Sequence, residues 1–406
     1  MFLTRAEESV LKGEQGQTLA KAMRLLVTLG DHSGAPRLVP IKRSQVAGVS
    51  YKTAGEPTLE LLENLAAESV KARTLATQNP AGMDLERWRD MGISRNFAEK
   101  QLRICLAYEK LGIKSTCTCT PYLSGNKPSF GETVGFSESS AVVYANSILG
   151  ARTNRHGGLD ALSAALVGKV PLMGYLIEEN RLPDVLVKVS FKPDSEADYG
   201  AIGYYVGKRL TMDEVPYFEG IEHASYDELK LMGAACASSG ATALFHVQGR
   251  TPETYGGRLR YKHGKPTDTL TINKEDIVDV YDELSSPTIC DLIAIGCPHC
   301  SLREVKWASQ LLAHREVKKG TRLWIFTSPR VYSEAARRGY VQTIQASGAN
   351  IFRHTCIVVM PVEELDVTGV ATNSAKAAFY IPRTTQNRCQ ARLLSLEECI
   401  KLATGF

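Results

Sequence analysis

The chain has 406 residues, of which 44% are hydrophobic and 23% are charged. These proportions are those of an ordinary globular protein and exclude a disordered or fibrous chain. The net charge of +4 comes from 48 basic and 44 acidic residues that are interspersed without a long basic run, so nucleic-acid binding is not expected. A chain longer than about 250–300 residues usually divides into lobes with separate cores.

Targeting signals are not apparent in the sequence. No apolar segment approaches the roughly 18–20 residues that cross a bilayer. The first ten residues, MFLTRAEESV, carry acidic side chains where a signal peptide needs an apolar stretch. Ten cysteines in a chain of this length favour reduced thiols or metal ligands over a disulfide framework. We therefore predict a cytoplasmic protein without membrane contacts.

The first third of the chain predicts mainly helices. Thr4 and Glu7 have the spacing of a capping box, in which each residue satisfies a free backbone N–H at the helix start. Cys105 falls on the apolar face of a helical run and is expected in the core. The expected elements are a helix after Thr4, a helix ending before Gly30, a strand within 37–51, a polar turn at Lys52-Thr53, and helices at 57–69 and 95–111.

From about residue 185, short apolar strands alternate with capped helices. This alternation predicts an α/β fold with a largely parallel sheet and helices on its faces. Capping boxes at Ser225/Glu228 and Ser301/Glu304 begin two of the helices, and a longer helical pattern runs from Pro329 to Gly348. The predicted strands are DVLVKVSF, ATALFHV, CDLIAIG, TRLWIFTS and CIVVMP.

Ligands bind outside the carboxyl ends of parallel strands, where backbone groups are left unpaired over a crevice. His246, Cys297 and Ser328 fall at such ends. The stretch GRTPETYGGRLRYKHGKPTD is rich in Gly, Pro and charge, and we expect a long surface loop that can carry a partner contact.

Three cysteines, Cys119, Cys297 and Cys356, each stand where an apolar run meets a turn. Three thiolates can hold an iron-sulfur cluster and leave one iron open as a Lewis acid. Two alternatives stay open on the residues alone. In the first alternative, the three thiols are simply buried in the core, as we expect for Cys105, Cys236, Cys290 and Cys399. Alternatively, Cys117-x-Cys119 and Cys297-x-x-Cys300 form a zinc site, although this spacing is unusual.

The segment GARTNRHGG places Arg152 and Arg155 just before an apparent helix start at Gly157-Gly158. Guanidinium groups and the N–H groups of a helix start bind carboxylate or phosphate, so an anion site is one interpretation. A solvated connector is the other. Upstream, Glu138, Ser139 and Ser140 begin a predicted helix, where they can position a substrate hydroxyl or a proton acceptor. The alternative is helix capping by Ser137 with a nearby acid.

Two histidines and one lysine complete the candidates that come from the residues alone. His246 and His299 can serve as acid, as orienter or as a donor behind a metal ligand, and a structural role is the alternative for both. Lys376, in the polar turn TNSAK, can meet an anionic substrate as a point charge, or it is a solvated lysine.

Seven blocks of sequence together resemble the large, catalytic subunit of the aconitase X family, in the family's order and over nearly the whole chain. The resemblance implies a multi-lobed architecture with the active site at the crevice between lobes. We divide the chain into a helical and mixed lobe at 1–180 and two α/β lobes at 181–285 and 286–406. The blocks are VSYKTAGE, TQNPAGMD, CTPYLSGNKPSFGE, ESSAVVYANSILGARTNR, GCPHCS, HTCIVV and TNSAKAAFY.

The resemblance implies a hydro-lyase whose iron-sulfur centre is held by Cys119, Cys297 and Cys356, as a 4Fe-4S cluster with one iron not bound by protein. It also implies a swivelling small domain, which we expect as a separate subunit because no segment after TNSAKAAFY is long enough to supply it. In aconitases the base is a serine on that domain, so here it is expected on the partner.

Two activities are known for the family, the dehydration of mevalonate 5-phosphate and that of cis-3-hydroxy-L-proline. We favour the first, because a large chain with a separate partner and three intact cysteines resembles the archaeal 4Fe-4S branch. The alternatives are hydroxyproline dehydration and a non-catalytic, metal-binding regulatory subunit. Candidate catalytic residues are Glu138, Ser139, His246 and His299; candidate substrate-binding residues are Ser50, Tyr51, Lys52, Asn79, Ser140, Asn146, Arg152, Thr153, Asn154, Arg155, Ser374 and Lys376.

Overall fold

The apolar runs form four β-sheets in the computed structural model, which describes residues 1–257, 259–286 and 289–405. Three of these sheets contain only parallel pairs, and the fourth is a single antiparallel pair. Helices pack on the faces of the parallel sheets. The predicted α/β class with largely parallel sheets is confirmed.

The N-terminal region has a three-stranded parallel sheet in the order β3-β2-β4 and an antiparallel pair β1-β5. Its helices are α1 (Arg5–Leu11), α2 (Gln17–His32), α3 (Tyr51–Ala67), α4 (Arg95–Lys110), α5 (Ser139–Ser147) and α6 (Gly158–Val167), and its strands are β1 (Leu38–Pro40), β2 (Arg43–Val46), β3 (Leu75–Gln78), β4 (Gly135–Phe136) and β5 (Lys169–Pro171). The capping box at Thr4 is confirmed. The polar turn expected at Lys52-Thr53 is wrong, because α3 begins at Tyr51 and kinks at Gly55 instead.

The middle region contains a four-stranded parallel sheet in the order β8-β7-β6-β9. Its elements are β6 (Val185–Val189), α7 (Glu196–Gly207), β7 (Pro216–Glu219), α8 (Tyr226–Gly240), β8 (His246–Val247), β9 (Asp268–Ile272) and α9 (Lys274–Glu283). The predicted strand ATALFHV shortens to β8. Strand β9 was missed because its side chains are mostly exposed and polar, so it lacks an apolar pattern. Arg258, in the predicted surface loop, lies outside the described residues.

The C-terminal region contains a five-stranded parallel sheet in the order β12-β11-β10-β13-β14. Its elements are β10 (Leu292–Cys300), α10 (Leu302–Leu312), β11 (Arg322–Thr327), α11 (Pro329–Arg337), α12 (Tyr340–Ala346), β12 (Asn350–Phe352), β13 (Gly369–Thr372), α13 (Ala375–Thr384), β14 (Gln390–Leu393) and α14 (Leu396–Thr404). The helix expected from Pro329 to Gly348 is divided, because Gly339 adopts a φ of 81° at the break. None of the helices in the described ranges is long and apolar enough to cross a membrane.

The strand predicted at CIVVMP is wrong. Backbone N–H groups of Val359 and Met360 donate to the carbonyl of Cys356, at 3.2 and 3.3 Å, so these residues form a turn. The strand in this part of the chain is β12, which pairs with β11 and ends four residues before Cys356. A run of apolar residues here reflects burial inside a turn, which sequence alone does not distinguish from a buried strand.

The N-terminal and C-terminal regions meet beside β12. The N–H of Ala81 donates to the carbonyl of His354 at 2.7 Å, and the fully buried carboxylate of Asp84 accepts from the N–H of Arg353 at 2.7 Å. Burial favours the neutral form of Asp84, but the interaction with His354 and the N–H groups of Arg353 and Glu86 outweigh it and lower its pKa to about 2. These contacts fix the backbone that leads to Cys356.

Candidate active site

Three cysteines from distant parts of the sequence line one cavity of about 180 Å³, here called the cysteine cavity. Cys119 lies in the loop before a short 3₁₀ helix at Pro121–Leu123. Cys297 lies within β10, where the pairing register with β11 shifts between Ile295 and Cys300. Cys356 begins the turn that follows β12. The structure therefore brings together Cys119, Cys297 and Cys356, the three cysteines selected from the sequence.

The sulfur of Cys356 is the one best suited to carry a negative charge. A hydrogen bond from the Cys297 thiol lowers the pKa of Cys356, and the N–H groups of Val358 and Val359 act in the same direction against the effect of burial. The same contact, together with burial, raises the pKa of Cys297. Burial raises the pKa of Cys119. Ionising all three thiols places three like charges in one cavity, which the charge of a bound metal would offset.

Lys376 and Glu138 form a buried ion pair that also lines the cavity. The Lys376 ammonium lies 2.5 Å from one carboxylate oxygen of Glu138 and 3.4 Å from the hydroxyl of Ser139. The other oxygen of Glu138 accepts from the Ser140 hydroxyl at 2.5 Å and from the N–H of Ala141 at 2.8 Å. Burial raises the pKa of Glu138, but the charge of Lys376 and these hydrogen bonds lower it overall, so the carboxylate is ionised at neutral pH.

The local sequence explains how this pair is built. Glu138 is the N-cap of α5, whereas the capping alternative named the preceding Ser137, and the Glu138 side chain accepts from the N–H of Ala141. Lys376 lies in the first turn of α13, whose N-cap is Ser374. Ser374 caps that helix through the N–H of Ala377 and does not line the cavity. Ser140 and Ser374 therefore support Glu138 and the helix of Lys376 without lining the cavity themselves.

Asn79 also lines the cavity, and its side-chain oxygen accepts from the Gln45 amide at 2.9 Å. Four further cavity residues were missed from the sequence. Tyr380 had a usable signal, since it stands one helical turn after Lys376 and so shares its face of α13. The others have apolar side chains that carry no chemical signature: Pro80, Val358 and Val359.

His299 is fully buried and does not line the cavity. Its Nδ1 lies 2.9 Å from the Thr118 hydroxyl and its Nε2 lies 2.8 Å from the carbonyl oxygen of Thr355. Burial lowers its pKa to about 4. Both ring nitrogens of His299 are bonded within the protein, which favours its predicted role as an orienter or as a donor behind a metal ligand over that of an acid.

Ser50, Tyr51 and Lys52 lie at the start of α3, outside the cavity lining. The Ser50 hydroxyl donates to the carbonyl of Val359 at 2.6 Å, and the Lys52 ammonium contacts the carbonyl of Met360 at 3.0 Å. Lys52 is also paired with Glu363 at 2.7 Å, while Tyr51 donates to Glu56. Ser50 and Lys52 thus support the turn that carries Cys356, and contact of these three residues with substrate stays a prediction.

In the predicted anion site at 152–155, Arg152 forms ion pairs within the protein. Arg152 is paired with Glu178 at 2.9 Å and with Glu253 at 2.8 Å, so its charge is already neutralised. Three other residues predicted to bind substrate, and His246, predicted as a catalytic residue, also have partners within the protein and do not line the cysteine cavity. Asn146 binds the carbonyls of Thr153 and Ala243, Asn154 binds that of Met173, Arg155 binds that of Met212, and His246 Nε2 contacts that of Arg181.

The zinc alternative is not supported by the contacts of the other cysteines. Cys117 lies against Gln78 and Cys105 in the N-terminal core, and neither Cys117 nor Cys300 lines the cysteine cavity. Within the described ranges, no three His, Cys, Asp or Glu side chains are arranged to hold a single metal ion. That finding does not bear on a cluster, in which separate thiolates bind separate irons.

Models of the aconitase X family match the chain in three successive parts. The aconitase X first domain matches residues 1–179, the second domain matches 183–282 and the third domain matches 290–405. A crystal structure of Thermococcus kodakaraensis aconitase X in the holo-form superposes with a TM-score of 0.91. It is 42% identical in sequence, and the match covers 99% of this chain and 100% of that one.

Relatives with assigned activities align along nearly the whole chain. The phosphomevalonate dehydratase large subunit of Methanothermobacter thermautotrophicus is 48% identical over 94% of both chains. That of Methanocaldococcus jannaschii is 44% identical over 99% of this chain and all of the relative. The cis-3-hydroxy-L-proline dehydratase of Pseudomonas aeruginosa is more distant, at 32% identity over 98% of this chain and 69% of the relative. The chain belongs to the aconitase X family.

Proposed function

We propose that this chain is the large subunit of an iron-sulfur hydro-lyase that dehydrates mevalonate 5-phosphate to trans-anhydromevalonate 5-phosphate. The observation that carries the proposal is the cysteine cavity, where three thiols lie beside the buried Lys376–Glu138 pair. Its substrate follows the archaeal large subunits, which align from end to end at up to 48% identity, against 32% for a hydroxyproline dehydratase.

Cys119, Cys297 and Cys356 would hold the cluster, since all three are buried free thiols at one cavity. The cluster, which we propose is 4Fe-4S, would supply Lewis-acid chemistry for the departing hydroxide when bound. The Lys376 ammonium is compatible with this ligand set, because its positive charge offsets part of the negative charge of three thiolates.

Lys376 is also the cavity cation that binds and orients the substrate carboxylate. Glu138 holds the ammonium in place, and both oxygens of Glu138 are already hydrogen-bonded, so it is a positioning residue rather than the base. Dehydration removes the proton next to the carboxylate while the hydroxide leaves and is released as water. We assign the proton acceptor to the partner subunit.

A separate small subunit would complete the site. The cysteine cavity, at about 180 Å³, is smaller than the roughly 300–1,000 Å³ of ordinary ligand sites, and a cluster occupies much of it. Substrate must then lie at the cavity mouth, where a second chain has to exclude water. The relatives carry the name large subunit, and the longer hydroxyproline dehydratase extends beyond the region that this chain matches.

The phosphate would be bound outside the four cations named from the sequence. Lys52, Arg152 and Arg155 do not line the cysteine cavity, and each lies beside a carboxylate: Glu363, Glu178 and Asp213. Lys376 is paired with Glu138 and is committed to the carboxylate in this proposal. Phosphate recognition therefore falls to other groups of this chain or to the partner.

Anaerobic reconstitution with iron and sulfide, followed by assay with the small subunit present, tests the function. We expect turnover of mevalonate 5-phosphate and loss of both colour and turnover in Cys119→Ser, Cys297→Ser and Cys356→Ser. Cys105→Ser, which removes a buried thiol outside the cavity, should leave both nearly intact. Turnover of cis-3-hydroxy-L-proline alone would reverse the substrate, and colour without turnover of either would favour a metal-binding regulatory subunit.

A further inference from the structure

We propose that His299 is a positioning residue whose imidazole holds the three cysteine-bearing segments in register, so that the ligand sulfurs are preorganised before a cluster is bound. The inference rests on the proposed function, because it assumes that these sulfurs hold a cluster. Of the roles that the sequence left open for His299, it selects the one behind the metal ligands and names the two segments that the ring joins to its own.

His299 contacts the immediate neighbour of each of the other two candidate ligands. Its Nδ1 lies 2.9 Å from the hydroxyl of Thr118, which precedes Cys119. Its Nε2 lies 2.8 Å from the carbonyl of Thr355, which precedes Cys356. His299 itself stands two residues after Cys297. One ring therefore spans the segments of all three cysteines.

The partners fix the hydrogen positions on the ring. The Thr355 carbonyl oxygen can only accept, so Nε2 carries the hydrogen and donates. Nδ1 is then the acceptor for the Thr118 hydroxyl, which can donate by rotation. In addition, the backbone N–H of His299 donates to the sulfur of Cys119 at 3.2 Å. The residue thus contributes three hydrogen bonds to the frame of the cavity.

The backbone of His299 is also held from the opposite side. The ammonium of Lys230, on α8, donates to the carbonyl of His299 at 3.2 Å. Lys230 is buried and paired with Glu304, which in turn accepts from the N–H of Ser301 at 2.7 Å. The backbone of His299 is therefore fixed by a helix of the middle region. Its imidazole ring in turn holds Thr118 and Thr355 in position through the two ring hydrogen bonds.

Hydrogen-bonded residues behind metal ligands commonly change metal affinity by about 10–100-fold when removed, because they set ligand orientation. His299→Ala removes both ring contacts, whereas His299→Gln keeps an amide donor and acceptor at similar reach. Thr118→Val removes one contact at nearly constant shape. His246→Ala is the matched control, since His246 is equally buried and contacts the carbonyl of Arg181 at 2.8 Å, away from the cavity.

The test measures iron and sulfide content after anaerobic reconstitution of the full chain, the visible circular dichroism of the cluster, and the rate of cluster loss to an iron chelator. We expect His299→Ala to lose its cluster at least about 10-fold faster than the unaltered protein. The rate of cluster loss in Thr118→Val should fall between those of His299→Ala and the unaltered protein. Both His299→Gln and His246→Ala should lose the cluster at nearly the unaltered rate.

Three outcomes would overturn the inference. An unaltered chelation rate in His299→Ala with lost turnover would make His299 a chemical participant instead. An equal loss of cluster in His246→Ala would show a general effect of removing a buried histidine. If His299→Ala does not fold, Thr118→Val serves as the test, and an unaltered rate of cluster loss in that variant would contradict the proposal. Failure of the unaltered chain to take up iron is a separate result, which removes the proposed function itself.

Discussion

At the residue scale, the Lys376–Glu138 pair dominates the electrostatics of the cavity. Both side chains are at least nine-tenths buried, so the charges are matched in a medium that screens them weakly. Removing one partner of such a pair leaves an uncompensated charge, at a cost of about 3–5 kcal/mol. The pair is therefore coupled to folding as well as to the proposed substrate.

We predict that Lys376→Met lowers the free energy of unfolding by about 3–5 kcal/mol and lowers turnover at least about 100-fold. Urea unfolding and steady-state kinetics measure the two effects. Lys208→Met is the control, because Lys208 pairs with Glu283 on the surface, and it should cost less than about 1 kcal/mol with turnover unchanged. Full turnover in Lys376→Met would exclude the lysine from substrate binding.

Asp84 gives a prediction about pH. Its pKa in the folded protein is about 2, below the ordinary value of 3.8, so the folded state prefers the carboxylate. The resulting stability is fully present above about pH 4 and disappears as the pH falls towards 2. We predict that Asp84→Asn costs about 2 kcal/mol at pH 7 and that its difference from the unaltered protein shrinks on acidification.

Urea unfolding at a series of pH values tests the Asp84 prediction. Asp213→Asn is the control, because Asp213 is exposed and lies 3.8 Å from its partner Arg155, and its effect should be small at every pH. A constant difference between Asp84→Asn and the unaltered protein from pH 7 to pH 3 would contradict the assignment of Asp84 as an ionised buried group.

At the element scale, α7 and α8 pack with almost no space between their backbones. A Cβ atom on Gly203 would overlap the backbone carbonyl of Met232, and one on Gly240 would overlap that of Gly207. Backbone atoms of packed helices cannot move aside cheaply, so these glycines are required for the approach. Gly200, on the same helix, is different, because its Cβ would lie 3.4 Å from that of Ala375, an ordinary contact.

We predict that Gly203→Ala lowers the free energy of unfolding by about 1–3 kcal/mol through overpacking. Gly200→Ala should be neutral or stabilising by up to about 1 kcal/mol, because alanine is the better helix former. Calorimetric melting temperatures of the two variants provide the comparison. Equal losses in both would mean that helix packing is not the cause.

The elements also show which local patterns are decisive. The capping boxes at Ser225 and Ser301 predicted helix starts that the structure confirms, because a cap depends on residues three apart in the chain. The apolar run at Cys356 predicted a strand and gave a turn. Whether such a run pairs or turns depends on neighbouring segments, here β11 and the start of α3, which lie far away in sequence.

At the scale of the whole molecule, the proposed cluster would join regions that are otherwise held by packing, hydrogen bonds and ion pairs such as Lys52–Glu363. Cys119 belongs to the N-terminal region, while Cys297 and Cys356 belong to the C-terminal region. Ligands that bind only the folded state stabilise it, and the bonds of a metal centre add to the cohesion of the segments they join.

We predict that removing iron with a chelator lowers the melting temperature and speeds amide hydrogen exchange in residues 354–364. Differential scanning calorimetry and hydrogen-exchange mass spectrometry measure these changes. Cys119→Ser, which should carry no intact cluster, serves as the control and should not respond to the chelator. Identical melting curves for the iron-loaded and chelated protein would contradict a cluster that bridges the two regions.

The sequence by itself determined the class of the fold and many helix starts, and it singled out Cys119, Cys297, Cys356, Glu138 and Lys376, which the structure places at one cavity. Those features depend on periodicity, on local capping or on residue chemistry, all of which can be read directly from the sequence. Only the tertiary structure decided that Arg152 is neutralised by Glu178 and Glu253 and that both nitrogens of His299 are occupied. The physical reason is that a charged or polar side chain is defined by its partners, and these partners are separated from it by tens to hundreds of residues.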